Sequence, residues 1–330
     1  MIIVAGTGVA GSYLCRRLWD SGIEFRALDP KVPGFRLPCG YATNYNIFAD
    51  YCKNAGLNPQ DYVERQSCEI TFTGDGMPEL TFRSRGLCTI DKNRFEADLI
   101  DGIPVARSRA AVVPGSDLYV DATGISRALL GPSGKDFRMH AVEYLADEAT
   151  HDDFYFRYFP GGHGYYWEFP LADGYHIGAG SDDLQLIRSA LSGVKAARTM
   201  ARDIRLRPLL QDSRKGNVIG IGESIGTVSP ITGEGIMPSM ASAEILYKSI
   251  LEGGGIDDVY RRYRKLLLEE FGYYGKLFRI LMDARSGNLG RVGNLPAIPA
   301  VRMDLRNFGI DVKILRILRE LLAQRKPGPG

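Results

Sequence analysis

The spacing of apolar residues changes several times along this chain. A short apolar run, Met1 to Ala5, passes through a glycine turn at Gly6 into a helix-patterned stretch, Ser12 to Gly22, and a second strand pattern, Ile23 to Asp29, follows. Strand, tight turn, helix and strand in that order build one unit of a doubly wound α/β layer. Asn46 to Ala55 also has the helical period. From Cys68 to Gly86 the pattern becomes alternation on both sides of Gly74-Asp75-Gly76, the mark of a β-hairpin. Phe154 to Gly180 is a second β-rich block, with aromatics at nearly every other position and a turn at Gly161 to Gly164. Late in the chain, Asn217 to Gly222 reads as another strand, and a loop containing Pro230 enters a helix whose start is marked by Gly233-Glu234-Gly235. Val312 to Leu322 places Ile314, Leu315, Leu318, Leu321 and Leu322 on one helical face, with basic residues largely elsewhere, before a KPGPG tail expected to be disordered.

The first turn reads Gly6-Thr7-Gly8-Val9-Ala10-Gly11, a GxGxxG in the strand–turn–helix setting that gives this pattern meaning. Gly6 permits the turn, Gly8 lets backbone approach a pyrophosphate, and Gly11 lets helix pack on strand, so the N–H groups around Val9 and Ala10 face an anion. Asp29, followed by Pro30, stands near the ~20-residue distance of a carboxylate that holds an adenosine ribose. FAD and NAD share this fingerprint. The late segment GIGESIGTVSPITGEGIMPSM, Gly220 to Met240, decides between them. Its helix N-terminus supplies backbone donors for the ribityl chain or the electron-rich end of an isoalloxazine, which a plain dehydrogenase does not need. FAD is the expected cofactor.

The expected fold is therefore α/β: an FAD-binding, Rossmann-like doubly wound domain with an inserted antiparallel β-sheet substrate domain and a helical C-terminal part. The FAD domain is expected at 1–60, 86–135 and 205–255, the substrate sheet at 61–85 and 136–204, and the helical region at 256–330.

Composition narrows the remaining classes. With 330 residues, 24% charged and 45% hydrophobic, the chain has the make-up of a soluble globular protein with a large core. A net charge of +2 indicates neither a nucleic-acid surface nor a funnel for acidic substrates. The four histidines form no pair at metal-ligand spacing, and no metal is expected. The five cysteines (Cys15, Cys39, Cys52, Cys68 and Cys88) are odd in number and contain no CxxC, which argues against a zinc site or a full disulfide framework and leaves room for one bridge. Met1 begins the first strand without a basic leader, and no apolar run approaches the ~18 residues of a spanning helix, so a cytoplasmic enzyme is expected. The basic amphipathic stretch 312–322 leaves two readings open: a cap on the core, or peripheral contact with the inner face of an anionic membrane.

Four separated motifs resemble the geranylgeranyl reductase branch of the FAD-dependent oxidoreductases, which includes archaeal lipid reductases and chlorophyll-pathway reductases. They are GTGVAG with Asp29, Pro38-Cys39-Gly40, Tyr165-x-Trp167-x-Phe169-Pro170, and GESIGTVSPITGEGI. Asp121-Ala122-Thr123-Gly124 is similar to the adenosine-side turn of that branch, and Asp91 to Glu96 to an arginine-led FAD contact, with Lys92 at the arginine position. Glu223 stands where the family has aspartate. On these motifs the resemblance implies FAD contacts from the glycine turn, Asp29 and Pro30, and from Arg36, Cys39, Gly40 and Lys92. It implies further contacts from Asp121, Ala122 and Gly124, and from Gly222, Glu223, Pro230, Gly233, Glu234, Gly235 and Ile236.

Tyr165, Trp167 and Phe169 share one face of a strand by the period of two. The resemblance makes that face, with Pro170, the wall of a cavity for a long apolar substrate, and puts Cys39 beside the isoalloxazine as a proton source or a shaper of the pocket. The activity it implies is saturation of isolated C=C bonds of a geranylgeranyl lipid or polyprenyl quinone, by hydride from reduced flavin N5 to one carbon and a proton to its neighbour. Positive charge develops at the more substituted carbon, where the faces of Tyr165 and Trp167 contribute ~1–2 kcal/mol. Two alternatives stay open. One is a flavin monooxygenase or halogenase of the same superfamily, although the chain has no DG-type NAD(P)H motif and reads YxWxFP where a halogenase is expected to have WxWxIP. The other is a flavin- or lipid-binding protein without turnover. The electron donor, whether NAD(P)H, ferredoxin or a deazaflavin, is also open.

Overall fold

Ile2, Ile3, Val4 and Ala5 are all buried, and a strand buried on both faces belongs in the middle of a covered parallel sheet. A computed structural model of the chain describes residues 1–32, 35, 38–74, 77–112, 118–288 and 298–311. In chain order, β1 (Ile2–Ala5), α1 (Val9–Asp20) and β2 (Phe25–Leu28) are followed by β3 (Ala42–Asn44), α2 (Tyr45–Asn54), β4 (Val63–Gln66), β5 (Glu69–Gly74), β6 (Met77–Arg83) and β7 (Leu87–Ile90). Next come α3 (Lys92–Leu99), β8 (Val105–Ala106), β9 (Leu118–Asp121), β10 (Arg138–Ala146), β11 (Phe154–Tyr158), β12 (Gly164–Pro170) and β13 (Tyr175–Ser181). The remainder is α4 (Leu184–Ala190), β14 (Arg198–Arg205), β15 (Arg214–Lys215), β16 (Val218–Gly220), α5 (Ile236–Leu251), α6 (Ile256–Phe271), α7 (Tyr274–Arg285) and α8 (Ile298–Asn307).

The first sheet has the order β15-β16-β9-β1-β2-β8, and β1 pairs in parallel with both β2 and β9. Helix α1 buries Val9, Tyr13, Leu14 and Leu18, and α5 is buried almost all round, as a helix inside a core must be. The second sheet has the order β14-β10-β13-β12-β11-β5-β6. Its strands are antiparallel except at β11–β5, where the early hairpin joins the late aromatic block in parallel register. Strands β3, β7 and β4 form a small third sheet, so β4 lies apart from the hairpin that follows it.

One face of the second sheet is aromatic. Phe72, Phe156 and Tyr158 stack with neighbouring ring centroids 5.3 and 6.1 Å apart, and Phe169 meets Phe156 edge-on at 5.0 Å. The opposite face is covered by α4 through Ile187 and Leu191. All five cysteines are free. Among the described residues no helix is long and apolar enough to cross a membrane. Arg36 and the stretch 312–322 lie outside the described residues.

Candidate active site

The glycines of the first turn have different surroundings. Gly6 has φ +94°, and a Cβ there would lie 2.5 Å from the Ala122 carbonyl oxygen; a Cβ on Gly11 would lie 1.9 Å from the Gly6 oxygen. Both are needed for backbone to pack on backbone. A Cβ on Gly8 would meet only Glu96 Oε1, at 3.9 Å, so the face over Gly8 is open. Gly8 is also the N-cap of α1 and offers no side-chain cap, which leaves the first N–H groups of Val9 and Ala10 facing that opening.

The two acids expected on the adenosine side turn inward. Asp29 accepts hydrogen bonds from Thr7 N at 2.6 Å, Thr7 Oγ1 at 2.7 Å and Lys31 N at 2.8 Å, with Lys31 Nζ at 3.5 Å. Burial opposes its charge, but these donors outweigh it and hold the carboxyl below its ordinary pKa. Asp121 accepts from Thr123 N and Oγ1 through one oxygen and from Leu129 N and Leu130 N through the other. The resemblance implies ligand contacts for both; in the structure their oxygens accept from the backbone and hydroxyls of the two turns. Pro30 follows Asp29 directly, and Ala122 lies beneath Gly6. Gly124 keeps an open face, with Glu223 Oε2 3.5 Å from a Cβ there.

The late motif closes against α1. Gly222, at φ +64°, would bring a Cβ within 2.8 Å of the Ala10 methyl. Glu223 is taken up by β14: Oε1 accepts from Arg205 N at 3.0 Å and Oε2 pairs with Arg202. Arg205 is fully buried and donates to Asp136 at 2.8 and 3.0 Å, to the carbonyl of Glu223 at 2.7 Å and to that of Ile125 at 2.9 Å. One guanidinium thereby ties the Gly124 turn, the Glu223 loop and the second sheet together. Helix α5 begins at Ile236 after its N-cap Gly235, but its free end is partly spent, because Glu234 Oε1 accepts from Met237 N at 2.9 Å and from Thr43 Oγ1 at 3.3 Å. Glu234 and Asp304 face a cavity of about 100 Å³; burial pushes them up to about 8 and about 7, and Ser229 donates to Asp304 at 2.6 Å.

Pro38-Cys39-Gly40 comes back over the second sheet. A Cβ on Gly40 would lie 2.6 Å from the Phe169 ring and 3.4 Å from Trp167 Nε1, so only glycine lets the loop sit this low. Cys39 N donates to Glu143 Oε1 of β10 at 3.1 Å. Burial raises the Cys39 thiol, against the opposing pull of Lys92. Lys92 is itself buried, and although burial disfavours its charge, Glu96 at 2.8 Å and its other neighbours hold its pKa above the ordinary value. His176 of β13 lies 3.7 Å from Glu143 and meets the Tyr41 ring edge-on. Three buried polar atoms here, Glu143 Oε2, His176 Nδ1 and Trp167 Nε1, have no hydrogen-bond partner. Glu143, His176, Arg202 and Arg205 escaped the sequence reading. The available signal was a charged residue in the inward register of a strand that is otherwise apolar on that side, as Glu143 is after Met139 and Ala141.

Beside this cluster is an apolar cavity of about 340 Å³. Tyr165 and Trp167 line it from the sheet, Pro230, Ile231 and Gly233 from the late loop, and Ile280, Leu281 and Ala284 from α7. Tyr165 Oη donates to the Thr232 carbonyl at 2.6 Å, fastening wall to loop. Phe169 and Pro170 stand outside the lining: Phe169 packs under Gly40, and the Pro170 carbonyl accepts from Thr89 Oγ1 at 2.7 Å. Gly40 and Phe169 thus hold the loop down, while Tyr165 and Trp167 face the cavity.

No protein-family model matches the sequence, and no curated protein matches it. Solved structures do match in fold. A geranylgeranyl bacteriochlorophyll reductase-like protein from Thermoplasma acidophilum shares 15% identity at a TM-score of 0.73, over 93% of this chain and 98% of that one. A triple mutant of a flavin-dependent brominase shares 14% at 0.68, over 98% of both chains. A probable FAD-dependent monooxygenase from Pseudomonas aeruginosa shares 15% at 0.67, over 90% of this chain and 99% of that one. The chain therefore has the mixed α/β fold of the Rossmann-type flavin-dependent oxidoreductases.

Proposed function

We propose that this protein is an FAD-dependent reductase that saturates isolated C=C bonds of a prenyl lipid, a geranylgeranyl or polyprenyl chain. The observation that carries the reading is the apolar cavity walled by Tyr165 and Trp167 and lined by Pro230, Ile231 and Gly233 of the late loop, in a chain whose nucleotide turn has an open glycine face. The residues fit FAD. Gly8 and Gly124 each keep an open face that a side chain would fill, and the uncapped start of α1 offers donors to a pyrophosphate. The unpartnered atoms of Glu143, His176 and Trp167 suit a ring with polar edges. Bound and reduced, FAD supplies a hydride equivalent.

The chain itself orients the prenyl group, excludes water and stabilises charge. Tyr165 and Trp167 offer ring faces to a developing carbocation without presenting a nucleophile. Ile280, Leu281 and Ala284 keep the far side dry. A second reading, a monooxygenase or halogenase, is favoured by the likeness in fold to the brominase and the monooxygenase. Product mass separates the two. Incubated with reductant, halide, oxygen and a geranylgeranyl lipid, the FAD-loaded protein is expected to add two hydrogens per reaction; addition of oxygen or halogen would overturn the reductase reading in favour of the second.

A further inference from the structure

The geometry points to Glu143 as the proton-holding residue of this site: a neutral carboxylic acid whose Oε2 carries the proton that a double bond takes up when it is saturated. The destination of that proton rests on the reductase reading; the protonation of Glu143 does not.

Three observations converge on this residue. The first is its place in the register. Glu143 on β10 stands opposite Gly178 on β13, and Gly178 stands opposite Trp167 on β12. Because Gly178 has no side chain, the Trp167 indole lies across it, its Cζ2 only 2.1 Å from where a Cβ would be. Ala141 and Gly180, the next pair on the same face, line the cavity together with Trp167, so Glu143 is the next inward position of β10 beyond the cavity wall, and the backbones of β10 and β12 are two strand spacings, ~10 Å, apart.

The second is the way its oxygens are used. Oε1 accepts from Cys39 N at 3.1 Å, whereas Oε2 is buried with no partner. An ionised carboxylate left this way, in a side chain 1% exposed, carries a large desolvation cost, whereas a protonated one avoids most of it.

The third is the charge around it. The groups facing Glu143 are Cys39 and Tyr41 of the loop, Lys92 of α3, His176 of β13 and Arg202 of β14. Lys92 is already paired with Glu96 and Arg202 with Glu223, so neither cation demands an ionised Glu143. Burial holds His176 down to about 4, so the imidazole is neutral too, and burial pushes Glu143 up to about 8.

The proton balance closes. The O–H bond at Oε2 would break as a C–H bond forms on the substrate, and FAD, held at the glycine turns, would supply the hydride equivalent for the neighbouring carbon. The carboxylate left behind is stabilised by Cys39 N–H, Lys92 and Arg202 until it regains a proton from solvent.

Infrared spectroscopy tests this directly. Glu143→Gln keeps an acceptor for Cys39 N–H and removes the acid, and Glu143→Asp keeps an acid should the amide variant fail to fold. The wild-type minus Glu143→Gln difference spectrum at neutral pH is expected to contain the C=O stretch of a protonated carboxyl, shifted in heavy water and lost as pH rises through about 8. With Glu143→Asp as the reference, that band is expected to move rather than vanish. Carboxylate bands at neutral pH in place of the carboxyl stretch would overturn the inference. In the FAD-loaded protein, Glu143→Gln is expected to lower lipid saturation by ~100-fold or more, and Glu143→Asp to restore part of it. Undiminished saturation by Glu143→Gln would overturn the proton role. Failure of the wild type to saturate any prenyl lipid, with the infrared band present, would instead sink the reductase reading.

Discussion

Gly6 and Gly8 are two residues apart, and one substitution at each separates their roles. Gly6→Ala puts a methyl against the Ala122 carbonyl at a positive φ, so it is expected to cost about 2 kcal/mol or more of stability, read from the denaturant midpoint. Gly8→Val projects into open space, so stability is expected to fall by no more than the N-cap preference, about 1 kcal/mol, while FAD affinity falls by at least ~10-fold, read by fluorescence titration. A Gly8→Val protein that binds FAD as the wild type does would remove the open Gly8 face from the account. Trp167→Ala is expected to slow saturation ~10-fold with FAD binding intact, measured as product formed per unit time. The glycine turn was legible because its parts adjoin in sequence and each has a local physical job. Glu143 and His176 were not, because a buried acid and an imidazole become neighbours only through the β10–β13 register, which alternation alone does not fix. The hydrogen bond that Asp29 accepts from Thr7 was equally hidden, since no spacing rule supplies the direction of a hydroxyl.

Among the elements, β14 matters more than its sequence suggests. Arg205→Met is expected to destabilise the fold by about 3–5 kcal/mol, because it strips Asp136 and the carbonyls of Ile125 and Glu223 of a buried donor; chemical denaturation measures it. Helix α7 has a different role. Ala284→Phe adds a ring to the cavity wall and is expected to raise KM for long prenyl chains more than for short ones, with kcat for short chains little changed. The early hairpin and the late aromatic block could be read as strands from their alternation, but the parallel join of β11 to β5 and the small sheet of β3, β7 and β4 could not. Pairing between distant segments depends on which faces must be buried together, and that emerges only from the assembled core. The part of α7 in closing the cavity was invisible for the same reason.

For the whole molecule, the buried acids set the pH dependence of stability. Glu143 and Glu234 rise from 4.5 to about 8 on folding, and Asp304 from 3.8 to about 7, in each case through burial. The folded chain then holds protons that the unfolded chain has released, so stability is greatest below about 4 as far as these groups are concerned and declines up to about 8. His176, lowered from 6.5 to about 4 by burial, works the other way and adds stability as pH rises between those values. Melting temperature is expected to fall from pH 6.5 to about 8, and Glu234→Gln combined with Asp304→Asn to flatten that fall. An equally steep fall in the double variant would contradict the assignment. The fold is shared with a reductase-like protein, a brominase and a monooxygenase, and in the proposed function the electrons of a reduced flavin pass to an alkene. The most direct measurement is anaerobic mixing of the chemically reduced, FAD-loaded protein with a geranylgeranyl lipid, following flavin absorbance and product mass together. Reoxidation without oxygen, with two hydrogens gained by the lipid for each flavin reoxidised, is the predicted result; a flavin that stays reduced until oxygen is admitted would contradict it.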